Sequence, residues 1–109
     1  MFPTIYFALD AAHAAAAVAK CGADVIGADW RSSLADASRA LGGKHPLQGN
    51  LDPCALLADV ATVRRRTLAM LTDGAALPSH IANLGHGILP ETPVDNAIAF
   101  VETVKSFKS

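Results

Sequence analysis

Four times along the chain a segment that reads as a short buried strand is followed by a residue that starts helices. The segments are "PTIYFAL" (residues 3–9), "DVIGA" (24–28), "HPLQGN" (45–50) and "HIANLG" (80–85). The first, second and fourth are continuous rather than alternating, the pattern of parallel strands covered on both faces. The third is the weakest strand signal and opens on Pro46, a position where a strand tolerates proline.

The helix starts are equally regular. Asp10 caps an alanine-rich helix that runs to Lys20, and Gly22 suits the position just past its end. Ser33 with Asp36 has capping-box spacing, and Leu34, Ser38 and Leu41 share a face before Gly42-Gly43 ends the helix. Asp52-Pro53 is a cap followed by proline in the first turn, and the same device returns as Thr92-Pro93 with Asp95 at the third helical position. Leu56, Val60, Val63, Thr67 and Met70 form one helical stripe; Ile98, Val101, Val104 and Phe107 form another.

The resulting order, β-α-β-α-β-α-β-α, predicts an α/β fold with a parallel sheet and right-handed crossovers. Two architectures satisfy it: a doubly wound open sheet, or a stretch of a (β/α)8 barrel. Four units are half of such a barrel, and 109 residues fall well short of the roughly 250 of a whole one. No glycine-rich phosphate loop follows any strand, which counts against nucleotide binding.

Composition narrows the partners. Hydrophobic residues make up 51% and charged residues 17%, rich for one small domain with so much surface per volume. The apolar content implies doubly covered strands, or a surface meant to be covered. The net charge of −1 gives no reason to expect nucleic acid or an anionic membrane. Arg64, Arg65 and Arg66 read as a solvated helix face. Cys21 and Cys54 have no CxxC or zinc spacing. Cys54, at a helix start, is read as a small semi-buried side chain. The alanine-rich start lacks a positive n-region and is broken by Asp10 and His13, so it is not read as a signal peptide. No run is long enough to span a bilayer, and the expected compartment is the cytoplasm.

Parallel α/β folds bind ligands at the C-terminal ends of their strands. That rule selects Asp10, Asp29-Trp30, Gln48-Gly49-Asn50 and His86. Each has a structural alternative: a helix cap for Asp10, a cap plus a core aromatic for Asp29-Trp30, and loop-tying hydrogen bonds for Gln48 and Asn50. His80 starts a strand at the opposite end and is read as structural; His13 and His45 are assigned nothing. His86, between Gly85 and Gly87, is the strongest functional candidate, because histidine titrates near neutral pH and donates to carboxylates.

The segments "LQGNLDPCALLA" (47–58) and "HIANLGHGILPETPVDN" (80–96) resemble the uroporphyrinogen decarboxylase family, with "YFALD" (6–10) and "DVIGADW" (24–30) in matching order and spacing. The resemblance spans the whole chain (1–109), and about the C-terminal third of the family's length. It implies the C-terminal half of a (β/α)8 TIM barrel, and a carboxy-lyase. The reaction converts the four acetate arms of uroporphyrinogen to the methyl groups of coproporphyrinogen, in haem and chlorophyll synthesis. It implies no metal, no organic cofactor, a small-molecule substrate and a homodimer. A pyrrole is protonated and the ring accepts the electrons left by carbon dioxide. The histidine of the family's NLGHG motif, which lies in the substrate cleft, falls on His86, and Asn50 of the QGN motif is the second expected substrate-binding residue.

The arginine-rich motif, the aspartate loop and the tyrosine of the family's N-terminal part have no counterpart here, and Arg31, Arg39 and Arg64 to Arg66 do not match them. The turn in "FALDAAHAAA" (7–16) also differs from the family's usual lysine- or glycine-bearing forms. A gene fragment is the simplest expectation, and the isolated polypeptide is expected to be inactive. Two alternatives remain: a corrinoid-dependent methyltransferase relative, which would use zinc held by histidine and cysteines, and a non-catalytic half barrel.

Overall fold

The computed structural model describes residues 2–7 and 15–108. Its strands are β1 (Ile5–Phe7), β2 (Val25–Gly27), β3 (Leu47–Leu51) and β4 (His80–Leu84), and its helices are α1 (Ala15–Val18), α2 (Leu34–Ala40), α3 (Val60–Ala75) and α4 (Val94–Ser106). The strands form one sheet in the order β1-β2-β3-β4, every pair parallel. This is the βα repeat expected from the four strand-and-cap units, and it corresponds to half the strands of a (β/α)8 barrel.

Alternation along the strands separates two faces. Leu47, Gly49 and Leu51 are buried against the helices, while Gln48 and Asn50 between them are half-buried. Ile26 is level with Leu47 and is buried on the same side. Leu34 and Leu41, Leu56, Val63, Met70 and Ala99 complete the core between sheet and helix layer. The other face carries Ile5, Phe7 and Ile81, all more than two-fifths exposed. That is the face a closed barrel fills with side chains from every strand.

The helix ends follow the sequence signals in part. Ser33 Oγ accepts from the N–H of Asp36, the capping bond expected. The end of α2 is a Schellman motif: Gly43 N–H donates to the Ser38 carbonyl and Gly42 N–H to that of Arg39. Gly42, at φ +93°, takes the left-handed position that glycine tolerates best.

Two boundaries differ. Asp52 caps only a short 3₁₀ turn, Pro53–Leu57, and α3 begins afresh behind Asp59, whose carboxylate accepts from Thr62 N–H at 2.9 Å. The stripe from Leu56 to Met70 is buried as expected, but it crosses a break. In α4, Pro93 rather than Thr92 flanks the first turn and no side chain caps it. Its expected stripe holds only in its second half, where Val104 and Phe107 pack against the core. Ile98 and Val101 are 48% and 47% exposed, and the buried positions are Asn96, Ala99 and Thr103.

Candidate functional site

The ends of β2, β3 and β4 converge at one rim. Gly27 pairs with Gln48, which pairs with Ile81. One step further toward the strand ends, Asn50 pairs with Asn83, and the same register brings Asp29 level with both. Above that row, Gly85 N–H donates to the Leu51 carbonyl at 2.7 Å. Gly85 is so close to the next loop that a Cβ on it would lie 2.5 Å from the Trp30 nitrogen.

Asn50 ties the rim together. Its Nδ2 donates to the carbonyls of Asp29 at 3.0 Å and Ser32 at 2.6 Å, and its backbone N–H meets the Met70 sulfur. The loop-tying alternative therefore describes both amide hydrogens of Asn50, and its Oδ1 is the atom left for a ligand. Asp29 is buried, and its carboxylate accepts from Arg31 N–H at 3.0 Å. Trp30 is partly exposed, with the Arg31 guanidinium 5.4 Å from the ring centroid, within cation–π range. A cleft of about 210 Å³ opens between α3 and the loop after β2, lined by Trp30, Ser32, Asn50, Asp52, Arg66 and Met70.

His86 follows this cluster, in the loop after β4, and is half-buried. Its Nδ1 lies 3.0 Å from the Gly87 carbonyl. A carbonyl only accepts, so Nδ1 carries the proton. Nε2 then donates to a ligand only when the ring holds its second proton.

His80 belongs elsewhere. Its Nε2–H donates to the Gly49 carbonyl at 2.6 Å, and its ring occupies the space beside Gly74 of α3, where no Cβ fits. This is the structural role expected for it. Arg64, Arg65 and Arg66 are exposed, as are Cys21 and Cys54; for Cys54 this corrects the semi-buried expectation. Asp10 and His13 lie outside the described residues.

Two polar residues escaped the sequence reading. Asn96, buried in α4, donates through Nδ2 to the carbonyls of Leu56 and Ala58, each at 2.7 Å. Nothing in its spacing separates it from the polar face of a helix. Asn83 is exposed on the inner face of β4. The signal for it was available: it stands two residues past Ile81 and three before His86.

Residues 1–107 match the sequence profile of the uroporphyrinogen decarboxylase family. The uroporphyrinogen decarboxylase of Chloroflexus aurantiacus is 47% identical over 105 residues, covering 96% of this chain and 30% of that protein. That of Gloeobacter violaceus is 52% identical over 89 residues, covering 82% and 25%. The chain thus spans under a third of the length of these relatives. Among solved structures, a methyltransferase from Methanosarcina mazei superposes with a TM-score of 0.79 at 21% identity, over 98% of this chain and 32% of that one. At that identity the likeness concerns the fold alone. Among the described residues, no helix is long and apolar enough to cross a membrane.

Proposed function

The chain belongs to the uroporphyrinogen decarboxylase family, and on that premise we propose that it forms the His86 side of a uroporphyrinogen decarboxylase cleft. The reaction removes the four acetate carboxyl groups of uroporphyrinogen and yields coproporphyrinogen, a step of tetrapyrrole synthesis in the cytoplasm, carried out by a homodimer. The supporting observation is the family match over residues 1–107, which includes the NLGHG loop.

In this reading His86 binds a substrate carboxylate. With Nδ1–H given to Gly87, Nε2 donates as part of an imidazolium, the charge-assisted form of the bond. Asn50 holds the loops after β2 and β3 in place and offers Oδ1 to a substrate N–H. The glycines flanking His86 keep bulk away from the ring. The other groups that grip the pyrrole N–H atoms and the remaining carboxylates belong to the rest of the barrel, so the 109-residue polypeptide alone is inactive.

A grafted barrel tests this. Residues 1–107 replace the matching segment of the Chloroflexus aurantiacus protein, and formation of coproporphyrinogen is measured. Turnover is expected. A folded grafted barrel that leaves uroporphyrinogen unchanged would overturn the proposal.

A further inference from the structure

One peptide group beneath the rim is gripped by side chains at both of its polar atoms. It joins Gly49 to Asn50 in β3. Its carbonyl oxygen accepts from His80 Nε2–H at 2.6 Å, and its N–H donates to the Met70 sulfur at 3.2 Å. A peptide group is planar, so holding both atoms fixes the plane, and with it the direction in which the Asn50 side chain leaves the strand. That side chain carries the Nδ2 that reaches the carbonyls of Asp29 and Ser32, and so the aim of its Oδ1 is set from below.

The His80 ring is itself held. His80, Ala82 and Leu84 are the more buried residues of β4, on the side that faces the helices. The ring fills the space beside Gly74 of α3, where a Cβ would overlap it. Met70 is buried one turn back along the same helix. All these partners lie in β3, β4 and α3. A further strand beside β4 pairs with its backbone and leaves the helix-facing side as it is. Filling that gap needs no donor, since an aliphatic side chain would fill it as well. The hydrogen bond to Gly49 is the part of His80 that packing does not explain.

We propose that His80 is a positioning residue for the reaction: its Nε2–H holds the Gly49 carbonyl so that Asn50 presents Oδ1 to the substrate. This rests on the decarboxylase reading, in which Asn50 Oδ1 accepts from a substrate N–H. The competing role is packing between β4 and α3 alone.

Three substitutions in the grafted barrel separate the roles. His80→Leu fills the gap and removes the donor. His80→Gln keeps a donor at the place of Nε2. Gly74→Ala crowds the ring out and leaves His80 itself unchanged. KM, kcat and the melting temperature are measured, together with the NMR signals of the Asn50 side-chain amide. His80→Leu and Gly74→Ala are each expected to raise KM roughly two- to ten-fold, the scale of one neutral hydrogen bond, and to shift the Asn50 amide signals. His80→Gln should restore both, and in an Asn50→Ala background His80→Leu should raise KM no further, because the two residues act as one unit. An unchanged KM with a lower melting temperature overturns the proposal and assigns the packing role. So does a rise in KM that His80→Gln fails to reverse, or one that adds in full to that of Asn50→Ala. A folded parent with no turnover removes the decarboxylase reading, and the amide signals then decide the positioning by themselves: moved by His80→Leu and restored by His80→Gln, it stands; unmoved, it falls too.

Discussion

Gly85 packs against the backbone of Trp30, across the end of the strand that separates them. A Cβ at Gly85 would lie 2.5 Å from the Trp30 nitrogen and 2.9 Å from its Cβ. Backbone cannot swing aside as a long side chain can. Gly85→Ala in the grafted barrel is therefore expected to cost about 1–3 kcal/mol, the usual range for overpacking a tight site. A thermal melt measures it, and an unchanged melting temperature would mean that the two loops are not held together.

His86→Ala should leave that packing intact and weaken catalysis. Loss of one charge-assisted hydrogen bond is worth about 1.5–3 kcal/mol, so kcat/KM is expected to fall roughly ten- to a hundred-fold. Unchanged turnover at subsaturating uroporphyrinogen would remove His86 from the site.

Asn96→Ala strands two carbonyls. Those of Leu56 and Ala58 both depend on its amide, and Leu56 is fully buried. Leaving a buried acceptor unpaired costs about 1–3 kcal/mol. Chemical denaturation of the grafted barrel should show that loss, with α4 still helical by circular dichroism.

Asp59 makes the start of α3 sensitive to acid. Its hydrogen bonds from Thr62 hold the carboxyl below its ordinary value of 3.8. A depressed folded-state value means that the ionised group stabilises the helix above pH 3.8, and that this contribution is lost as pH falls through the lower, folded value. Asp59→Ala should thus melt earlier than the parent at pH 6, with the gap closing as the pH is taken below 3.8. A gap independent of pH would show that the charge plays no part in the cap.

The 109-residue polypeptide purified by itself should self-associate and show no decarboxylase activity. Among the described residues β1 and β4 each have an unpaired edge, Ile5, Phe7 and Ile81 are uncovered, and few charged residues guard them. Light scattering decides it; a monomer that turns over uroporphyrinogen would refute the proposed division of the cleft.

The strands were legible because most are apolar runs followed by a helix starter; the expectation that they are covered on both faces is corrected, since Ile5, Phe7 and Ile81 stand uncovered on the face that a closed barrel fills. The rim was legible for the same reason, since the residue after a strand is at the C-terminal edge in any parallel fold. Helix phase was harder. Leu56 and Val60 continue one stripe in the sequence although a 3₁₀ turn and a second cap, Asp59, intervene, because both elements pack on the same core. In α4, hydrophobicity pointed to Ile98 and Val101, whereas close packing selected small or self-satisfied side chains. Ala99 is nearly inaccessible, and Thr103 returns its hydroxyl to the Ala99 carbonyl. The sequence leaves Asn50 as either a ligand contact or a loop tie, because the reach of its amide hydrogens to the loop after β2 depends on how β2 and β3 pair.

The Asn96 amide joins the last βα unit to the one before it, because α4 holds the carbonyls that lead from the 3₁₀ turn into α3. Opening of one unit therefore breaks the two hydrogen bonds that tie it to the other. In hydrogen exchange, the amides of α3 and α4 should share one opening free energy, the mark of a single cooperative folding unit. Those of β1, exposed along its whole length, should exchange sooner.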